Sequence, residues 1–173
     1  MQHRIGNSLA LVVSIAHLQA AAAPPGERRA AMEEFADRVH AVAQVHKGLY
    51  TSFALSTIAL DAYLARLIAE LQQAHVGRRA LSAVRFSGVS MPCTVDQAIA
   101  IGVIVSEVIA NAARYAYEGE RPGPVLVRLD EAENGEAVLV VEDDGVGPGV
   151  RESRPSGLGS QLVAVLAHSL GGW

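Results

Sequence analysis

The sequence lacks the residues for a disulfide framework, because it contains one cysteine, Cys93. A single cysteine cannot form a disulfide within the chain, which favours a reducing, cytoplasmic location. Basic residues are also few, since 14 Lys and Arg stand against 18 Asp and Glu and the net charge is -4. A protein that follows a nucleic-acid backbone needs a basic stripe, so nucleic acid is not an expected partner.

Long apolar runs are missing as well. The longest, residues 9–16 and 98–105, are shorter than the roughly 20 residues that a bilayer-spanning helix needs, so no membrane segment is predicted. No internal repeat is visible, and the alanine run at 20–23 is the only low-complexity tract. With 173 residues, the chain has room for one ordinary domain with a real core and a small helical module.

Apolar residues recur at helical spacing in the first fifty residues. The pattern predicts one helix over residues 1–22 and another over 27–49, with a break at Pro24-Pro25-Gly26. Two helices of this length cannot bury both of their apolar faces alone. We therefore expect residues 1–50 to form a helical hairpin that completes a four-helix bundle with a second copy, which makes a homodimer the simplest assembly.

Helical and strand periods alternate in the rest of the chain, residues 51–173. The pattern predicts a helix at 60–74, a strand at 83–91 closed by Pro92, a long apolar helix at 95–117, strands at 125–129 and 137–141 joined as a hairpin, and a last helix at 157–170. The predicted fold class is therefore α/β, a two-layer sandwich with helices on one face of a sheet.

Three short blocks in this second part point to chemistry. In the first, Glu107 and Asn111 lie four residues apart, so both face the same way on a helix, as two oxygen ligands for a hard cation need. The second, residues 143–147, ends an apolar strand with an acid and two glycines. The third, residues 157–159, opens an apolar helix with glycines whose backbone N–H groups can hold phosphate. In this order the blocks predict a pocket for Mg-ATP.

The order of these blocks resembles the GHKL ATPase superfamily. The segment His3-Arg4-Ile5-Gly6-Asn7 resembles the phosphoacceptor motif of sensor histidine kinases close to the HWE subfamily. The strict HWE tryptophan and glutamate are absent from the second block, so the chain resembles a near relative of that subfamily. The resemblance implies a GHKL-type sandwich with a mixed sheet over 51–173, a dimerisation and phosphotransfer hairpin over 1–50, and ATP and Mg²⁺ as cofactors.

The resemblance also implies a role for each block residue. His3 would be the nucleophile, Asn111 would bind Mg²⁺, and Glu107 would orient a metal-bound water or the attacking group, or bind the metal itself. Asp143 would accept a hydrogen bond from the adenine amino group, which guanine lacks at that position. The other nucleotide contacts would come from Arg114, Tyr115, Gly145, Gly147, Gly157, Leu158 and Gly159.

The implied activity is Mg-ATP-dependent autophosphorylation on histidine, followed by transfer to an aspartate of a response regulator receiver domain. Two alternatives stay open. One is a histidine phosphotransferase or pseudokinase with a vestigial ATP-binding domain, and the other is an anti-sigma type serine kinase. Because relatives continue into further strands beyond the position of Trp173, the chain is expected to be a piece of a longer kinase.

Overall fold

The computed structural model describes residues 57–76, 81–117, 122–147 and 158–172, together with the single positions 14, 18, 26, 29 and 39. The chain divides into two compact units, Met1–Ala54 and Leu55–Trp173. In the first unit, Ser14, Leu18, Arg29 and Val39 are helical. The rest of the predicted hairpin, including His3, lies outside the described residues. All of the elements numbered below belong to the second unit.

The second unit contains eight described elements, numbered here in chain order. They are β1 (Ile58–Ala59), α1 (Leu60–Val76), β2 (Ala83–Gly88), β3 (Pro92–Cys93), α2 (Val95–Tyr115), β4 (Pro124–Glu131), β5 (Ala137–Asp143) and α3 (Leu158–Ser169). Strands β2, β4 and β5 form a mixed sheet in that order, with β2 parallel and β5 antiparallel to β4. Strands β1 and β3 form a separate antiparallel pair.

The central strand β4 shows which face of the sheet is covered. Its side chains alternate, with Val125, Val127 and Leu129 buried and Leu126 and Arg128 exposed. Successive side chains of a strand point to opposite faces, so one face is covered and the other is open. Helix α1 packs on β2 and helix α2 packs on β5. The predicted mixed sheet with helices on one face is therefore confirmed.

Helix α2 is the central helix of this unit, and it packs against α1, α3 and β5. Its first turn is fixed by a capping box, in which Thr94 Oγ1 accepts a hydrogen bond from the Gln97 N–H at 3.2 Å and the Thr94 N–H donates to Gln97 Oε1 at 2.9 Å. Of the described helices, α2 is also the one long and apolar enough, by length and composition alone, to cross a bilayer. The helix packs on three elements of its own unit, as the core helix of a folded domain does.

Two predicted boundaries were wrong. The strand expected at 83–91 ends at Gly88, and Pro92 begins β3, which pairs with β1, instead of closing β2. Proline has no N–H to donate but is tolerated as the first residue of a short strand. The helix expected to reach Tyr117 ends at Tyr115, with Ala116 as its C-cap. Tyr117 leaves the helix because its hydroxyl is hydrogen-bonded to the chain beyond β5 and at the start of β4.

Candidate functional site

Helix α2 carries the first predicted block, whose side chains become more exposed from one turn of the helix to the next. Glu107 is buried, with 3% of its surface exposed, Asn111 is half-buried one turn later, and Tyr115 is 44% exposed one turn beyond that. These three residues share one helix face because they are spaced by four. Arg114, also exposed, lies beside them. The block therefore runs from a buried carboxylate to an exposed aromatic ring along one line of the helix.

The oxygen atoms on this face suit a magnesium ion. A carboxylate buried as deeply as Glu107 costs free energy unless hydrogen bonds or a cation compensate it. Within the described ranges, no group of three or more His, Cys, Asp or Glu side chains is gathered in one place. Mg²⁺ usually takes one or two protein oxygens and completes its shell with phosphate oxygens and water. Glu107 and Asn111 therefore fit Mg-nucleotide, whereas a structural zinc site requires four ligands.

Asp143 ends β5 on the covered side of the sheet. It lies directly opposite Val125 in the antiparallel register, and Val125 is fully buried. Directly opposed residues in an antiparallel pair point to the same face, so Asp143 is on the helix-covered face although it is exposed at the strand end. Its Oδ1 atom accepts a hydrogen bond from the Gly145 N–H at 3.0 Å. This bond closes a turn, and within the described ranges it is the hydrogen bond seen at the Asp143 carboxylate, so Oδ2 can accept from a ligand donor.

The turn after β5 is attached to the end of α2. The Val146 N–H donates a hydrogen bond to the Ala116 carbonyl oxygen at 2.9 Å. A Cβ atom on Gly145 would overlap that carbonyl oxygen and would lie 2.6 Å from its carbonyl carbon. Only glycine allows the two backbone segments to approach so closely. The backbone that Gly145 approaches is that of Ala116, the C-cap of α2, and the close passage of Gly145 to the base that the resemblance implies stays a prediction.

Gly147 has a different structural reason for being glycine. Its φ angle is +70°, in the left-handed region, and a Cβ atom there would meet nothing within 4 Å. Glycine is therefore required at position 147 by the backbone conformation and not by a lack of space for a side chain. The backbone at Gly147 is also exposed, at the edge of the turn that begins with Asp143.

The third block lies at the start of α3. The helix begins at Leu158, Gly159 is buried, and Gly157 is outside the described residues. Helix α3 packs against α2, which carries the first block. Its first turn contains no acidic residue, whereas α1 and α2 have Asp61 and Asp96 there. The positive end of the α3 dipole is therefore not offset by its own side chains, as a phosphate-binding helix requires.

Sequence reasoning missed the residue that joins these segments, Tyr117. Its hydroxyl lies 2.5 Å from Asp144 Oδ1 and 2.6 Å from the Pro124 carbonyl oxygen, and it accepts from the Asp144 N–H at 3.3 Å. A Cβ atom on Gly123 would overlap the tyrosine ring. The signal in the sequence was a tyrosine after the long helix and a second acid after Asp143, but nothing local indicated that the two would meet.

The surroundings of Tyr117 change its acidity. Burial is the largest cause, and with the Asp144 hydrogen bond and the charges of Asp144 and Asp143 it raises the pKa of Tyr117 to about 12. Each of these effects disfavours the phenolate, because it would be partly desolvated and close to two carboxylates. The hydroxyl is therefore protonated, and it acts as a hydrogen-bond donor throughout the neutral range.

Comparison with protein-family models gives two matches that together span residues 1–172. Residues 1–75 match the family described as "Histidine kinase", and residues 67–172 match the "Histidine kinase-like ATPase domain". The second match alone covers more than half of the chain and contains all of the described site residues.

Proteins with similar sequences are also named as histidine kinases. The chain is 29% identical over 177 residues to blue-light-activated histidine kinase 2 of Erythrobacter litoralis, covering 99% of this chain and 50% of that protein. It is 28% identical to the sensor histidine kinase PdtaS of Mycobacterium tuberculosis, covering 98% of this chain and 34% of that protein. The chain thus spans half or less of the length of these curated relatives.

A solved structure also matches the fold. The histidine kinase domain from the Erythrobacter litoralis EL346 blue-light activated histidine kinase gives a TM-score of 0.66 at 28% identity, over 98% of this chain and 79% of that one. The structure titled as the EL346 kinase itself gives a TM-score of 0.65 at 29% identity, over 78% of this chain and 48% of that one.

Proposed function

Since the chain belongs to the histidine kinase family, we propose that it binds Mg-ATP in the second unit and autophosphorylates on His3. The observation that carries the proposal is the hydrogen bond between Ala116 and Val146, which attaches the turn bearing Asp143 to the helix bearing Glu107 and Asn111. It joins the segment with metal-binding oxygens to the segment with a base-recognising carboxylate. A nucleotide needs both.

The residues of α2 would hold the metal and the phosphates. Asn111 would bind Mg²⁺ through its carboxamide oxygen, and Glu107 would bind the metal or orient the attacking imidazole. Mg²⁺ supplies charge compensation on the phosphates when it is bound. Arg114, which is exposed near the end of the helix, would contact the phosphates, and Tyr115 would lie near the nucleotide. The N-terminus of α3, with Gly157, Leu158 and Gly159, would hold the phosphate oxygens.

Asp143 and the following turn would hold the base. One carboxylate oxygen of Asp143 is used by the Gly145 N–H, so the other would accept the adenine amino group. A carboxylate is an acceptor only, and guanine presents a carbonyl oxygen at this position, so the contact would favour ATP over GTP. Gly145 and Gly147 would keep the turn in its conformation beneath the base.

The phosphoryl group would move from ATP to His3 in the N-terminal unit. The neutral imidazole nitrogen attacks the γ-phosphorus, the bond to the bridging oxygen breaks, and ADP leaves. The phosphohistidine would then pass the group to an aspartate of a response regulator receiver domain. We further propose that residues 1–50 act as the dimerisation and phosphotransfer hairpin, that residues 51–173 act as the catalytic domain, and that the protein is a cytoplasmic homodimer.

Labelling with γ-labelled ATP and Mg²⁺ tests this proposal on the full chain. The wild type should label itself with acid-labile, alkali-stable phosphate, His3→Ala should lose the label, and Asn111→Ala should lose most of it. His168→Ala is the matched control, because His168 is an exposed histidine near the end of α3 and should leave labelling unchanged.

The same assay identifies the alternatives. A phosphotransferase or pseudokinase would take up no label from ATP but would accept it from another phosphoprotein, and a serine kinase would give acid-stable phosphate on a partner. Either result would overturn the proposed autokinase.

A further inference from the structure

The Tyr117 hydroxyl connects three segments that are separate in the sequence. It contacts the Asp144 carboxylate after β5 and the Pro124 carbonyl oxygen at the start of β4, and Tyr117 itself directly follows the α2 cap. We call these three groups the tyrosine latch. The hydroxyl has a single proton, which the Asp144 carboxylate and the Pro124 carbonyl oxygen share as acceptors, and its oxygen accepts from the Asp144 N–H.

The backbone around the latch is adapted to it. Gly123 leaves the space that the Tyr117 ring occupies, and Gly145 lets the turn approach Ala116. The approach at Gly123 brings the segment before β4 against the Tyr117 ring, and the approach at Gly145 brings the chain after β5 against the cap of α2, where Val146 is hydrogen-bonded to Ala116. The latch therefore belongs to a built junction between helix and turn, and is not a chance contact of an exposed tyrosine.

The junction lies between the two halves of the proposed nucleotide pocket. Asp144 is the residue after Asp143, so fixing the Asp144 side chain and N–H also holds the backbone from which the Asp143 side chain projects, and the Gly145 N–H holds that side chain at Oδ1. Tyr117 lies six residues after Asn111 in the sequence, at the end of the helix that carries the metal ligands. Movement of the turn away from α2 would separate the base contact from the phosphate contacts.

We propose that Tyr117 is a positioning residue for base recognition, whose hydroxyl holds the Asp143–Gly145 turn against α2 and so sets nucleotide affinity and the preference for adenine over guanine. This inference rests on the proposed function, because it assumes that Asp143 faces the base. It goes beyond that function because nothing in the three blocks assigns a role to Tyr117 or Asp144.

Equilibrium binding of ATP, ADP and GTP to the full chain, with Mg²⁺ and with EDTA, tests the inference by calorimetry. Tyr117→Phe removes the hydroxyl and keeps the ring. A hydrogen bond to a charged acceptor corresponds to roughly tenfold in an equilibrium constant. Tyr117→Phe should therefore weaken ATP and ADP binding by the same factor, roughly tenfold, with or without Mg²⁺, and should narrow the ATP-over-GTP preference. Asn111→Ala, in contrast, should weaken only the Mg²⁺-dependent part of the nucleotide affinity.

Tyr63→Phe is the matched control. Tyr63 is a buried residue of α1 whose hydroxyl has no hydrogen-bond partner in the described part of the chain, so removal of the hydroxyl should leave binding within twofold of the wild type. Asp144 provides a second series. Asp144→Asn keeps a neutral acceptor for the tyrosine and should lose less affinity than Asp144→Ala, which should match Tyr117→Phe. The double variant Tyr117→Phe/Asp144→Ala should be no weaker than either single variant, because both changes remove one latch.

The outcomes separate the two proposals. If the wild type binds Mg-ATP and both Tyr117→Phe and Asp144→Ala keep its affinity and its base preference, the latch has no positioning role and the proposed function stands. Should the two variants lose stability to urea but keep the ATP-over-GTP preference, Tyr117 is only structural and the inference fails. If the wild type binds no nucleotide, the proposed function and the inference fall together.

Discussion

Gly145 lies so close to Ala116 that a Cβ atom on the glycine would be 2.7 Å from the alanine Cβ atom and would overlap the alanine carbonyl oxygen. Two short segments, the cap of α2 and the turn after β5, therefore meet backbone against backbone. No rotamer change can relieve such an overlap, because a carbonyl group is part of the main chain.

Gly145→Ala should force the turn away from α2. We expect a loss of about 1–3 kcal/mol in the free energy of unfolding, as overpacking usually costs, together with weaker nucleotide binding. The matched variant is Gly135→Ala, in the turn between β4 and β5. Gly135 has a φ of +82°, and a Cβ atom there would meet only Glu131 Oε1, at 4.0 Å, so alanine costs about 1–2 kcal/mol through backbone strain alone.

Urea unfolding and nucleotide titration of both glycine variants check this prediction. The prediction is supported if the two variants lose comparable stability to urea but only Gly145→Ala binds nucleotide more weakly. Equal binding by the two variants would show that the junction does not shape the pocket.

Asp143→Asn should change base preference and not only affinity. The Gly145 N–H needs an acceptor, which the asparagine oxygen supplies, so the amide NH₂ group would then face the base. It would oppose the adenine amino group and could donate to a guanine carbonyl. Losing a charged hydrogen bond predicts roughly tenfold weaker ATP binding, while GTP binding should hold or improve.

Competition between ATP and GTP for the full chain measures this change. Glu142→Gln is the control, since it removes the adjacent charge on the opposite face, where Glu142 pairs with exposed Leu126. An unchanged ATP-to-GTP ratio in Asp143→Asn would contradict a role for Asp143 in reading the base.

The stability contributed by the Tyr117 hydroxyl should depend on pH only in the alkaline range. Burial and the neighbouring carboxylates Asp144 and Asp143 raise the pKa of Tyr117 from 10.0 to about 12 in the folded chain. A group whose pKa is higher in the folded state contributes its full stability below the unfolded pKa. The contribution should therefore be constant up to about pH 10 and should be lost between about pH 10 and 12.

Alkaline titration of tyrosinate absorbance measures this ionisation. The difference between wild type and Tyr117→Phe should show one tyrosine that titrates near pH 12. A difference curve centred near pH 10 would mean that the hydroxyl is neither buried nor held by Asp144 in solution.

Thr94→Ala should weaken the start of α2. The variant removes the side-chain half of the capping box, the 3.2 Å bond from the Gln97 N–H, and loss of an N-cap residue costs about 1 kcal/mol. Thr94→Ser keeps the hydroxyl and should unfold at nearly the wild-type urea concentration. Since Thr94 is thirteen residues before Glu107, nucleotide affinity at low urea should be equal in both variants. Equal stability of the two variants would contradict the capping box.

Local sequence patterns predicted the elements that depend on one segment alone. The helix expected at 60–74 is found at Leu60–Val76, and the hairpin expected at 125–129 and 137–141 is found at Pro124–Glu131 and Ala137–Asp143. The helix and the hairpin segments both have a strong hydrophobic periodicity and clear turn signals. The pair β1–β3 was not predicted, because two-residue strands carry no period and their partners lie more than thirty residues apart.

The site was predicted in its parts but not in its assembly. Spacing alone placed Glu107 and Asn111 on one helix face, and it identified Asp143 at a strand end. Contact between Ala116 and Gly145, or between Tyr117 and Asp144, depends on how α2 packs against β5, which no single segment encodes. The assigned roles of the site residues, and His3 above all, stay predictions until the binding and labelling experiments are done.

The pairing of Val125 with Asp143 makes the face on which Asp143 lies depend on whether the register of the hairpin shifts by an odd or an even number of residues. If β5 slipped by one position along β4, the Asp143 side chain would point to the open face of the sheet, away from the helices. A slip of two positions would return it to the helix-covered face. Insertions or deletions in the connection at 132–136 that are transmitted into the strands should therefore be tolerated only in even numbers. If Asp143 reads the base as proposed, relatives with an acid at this position should show the same parity.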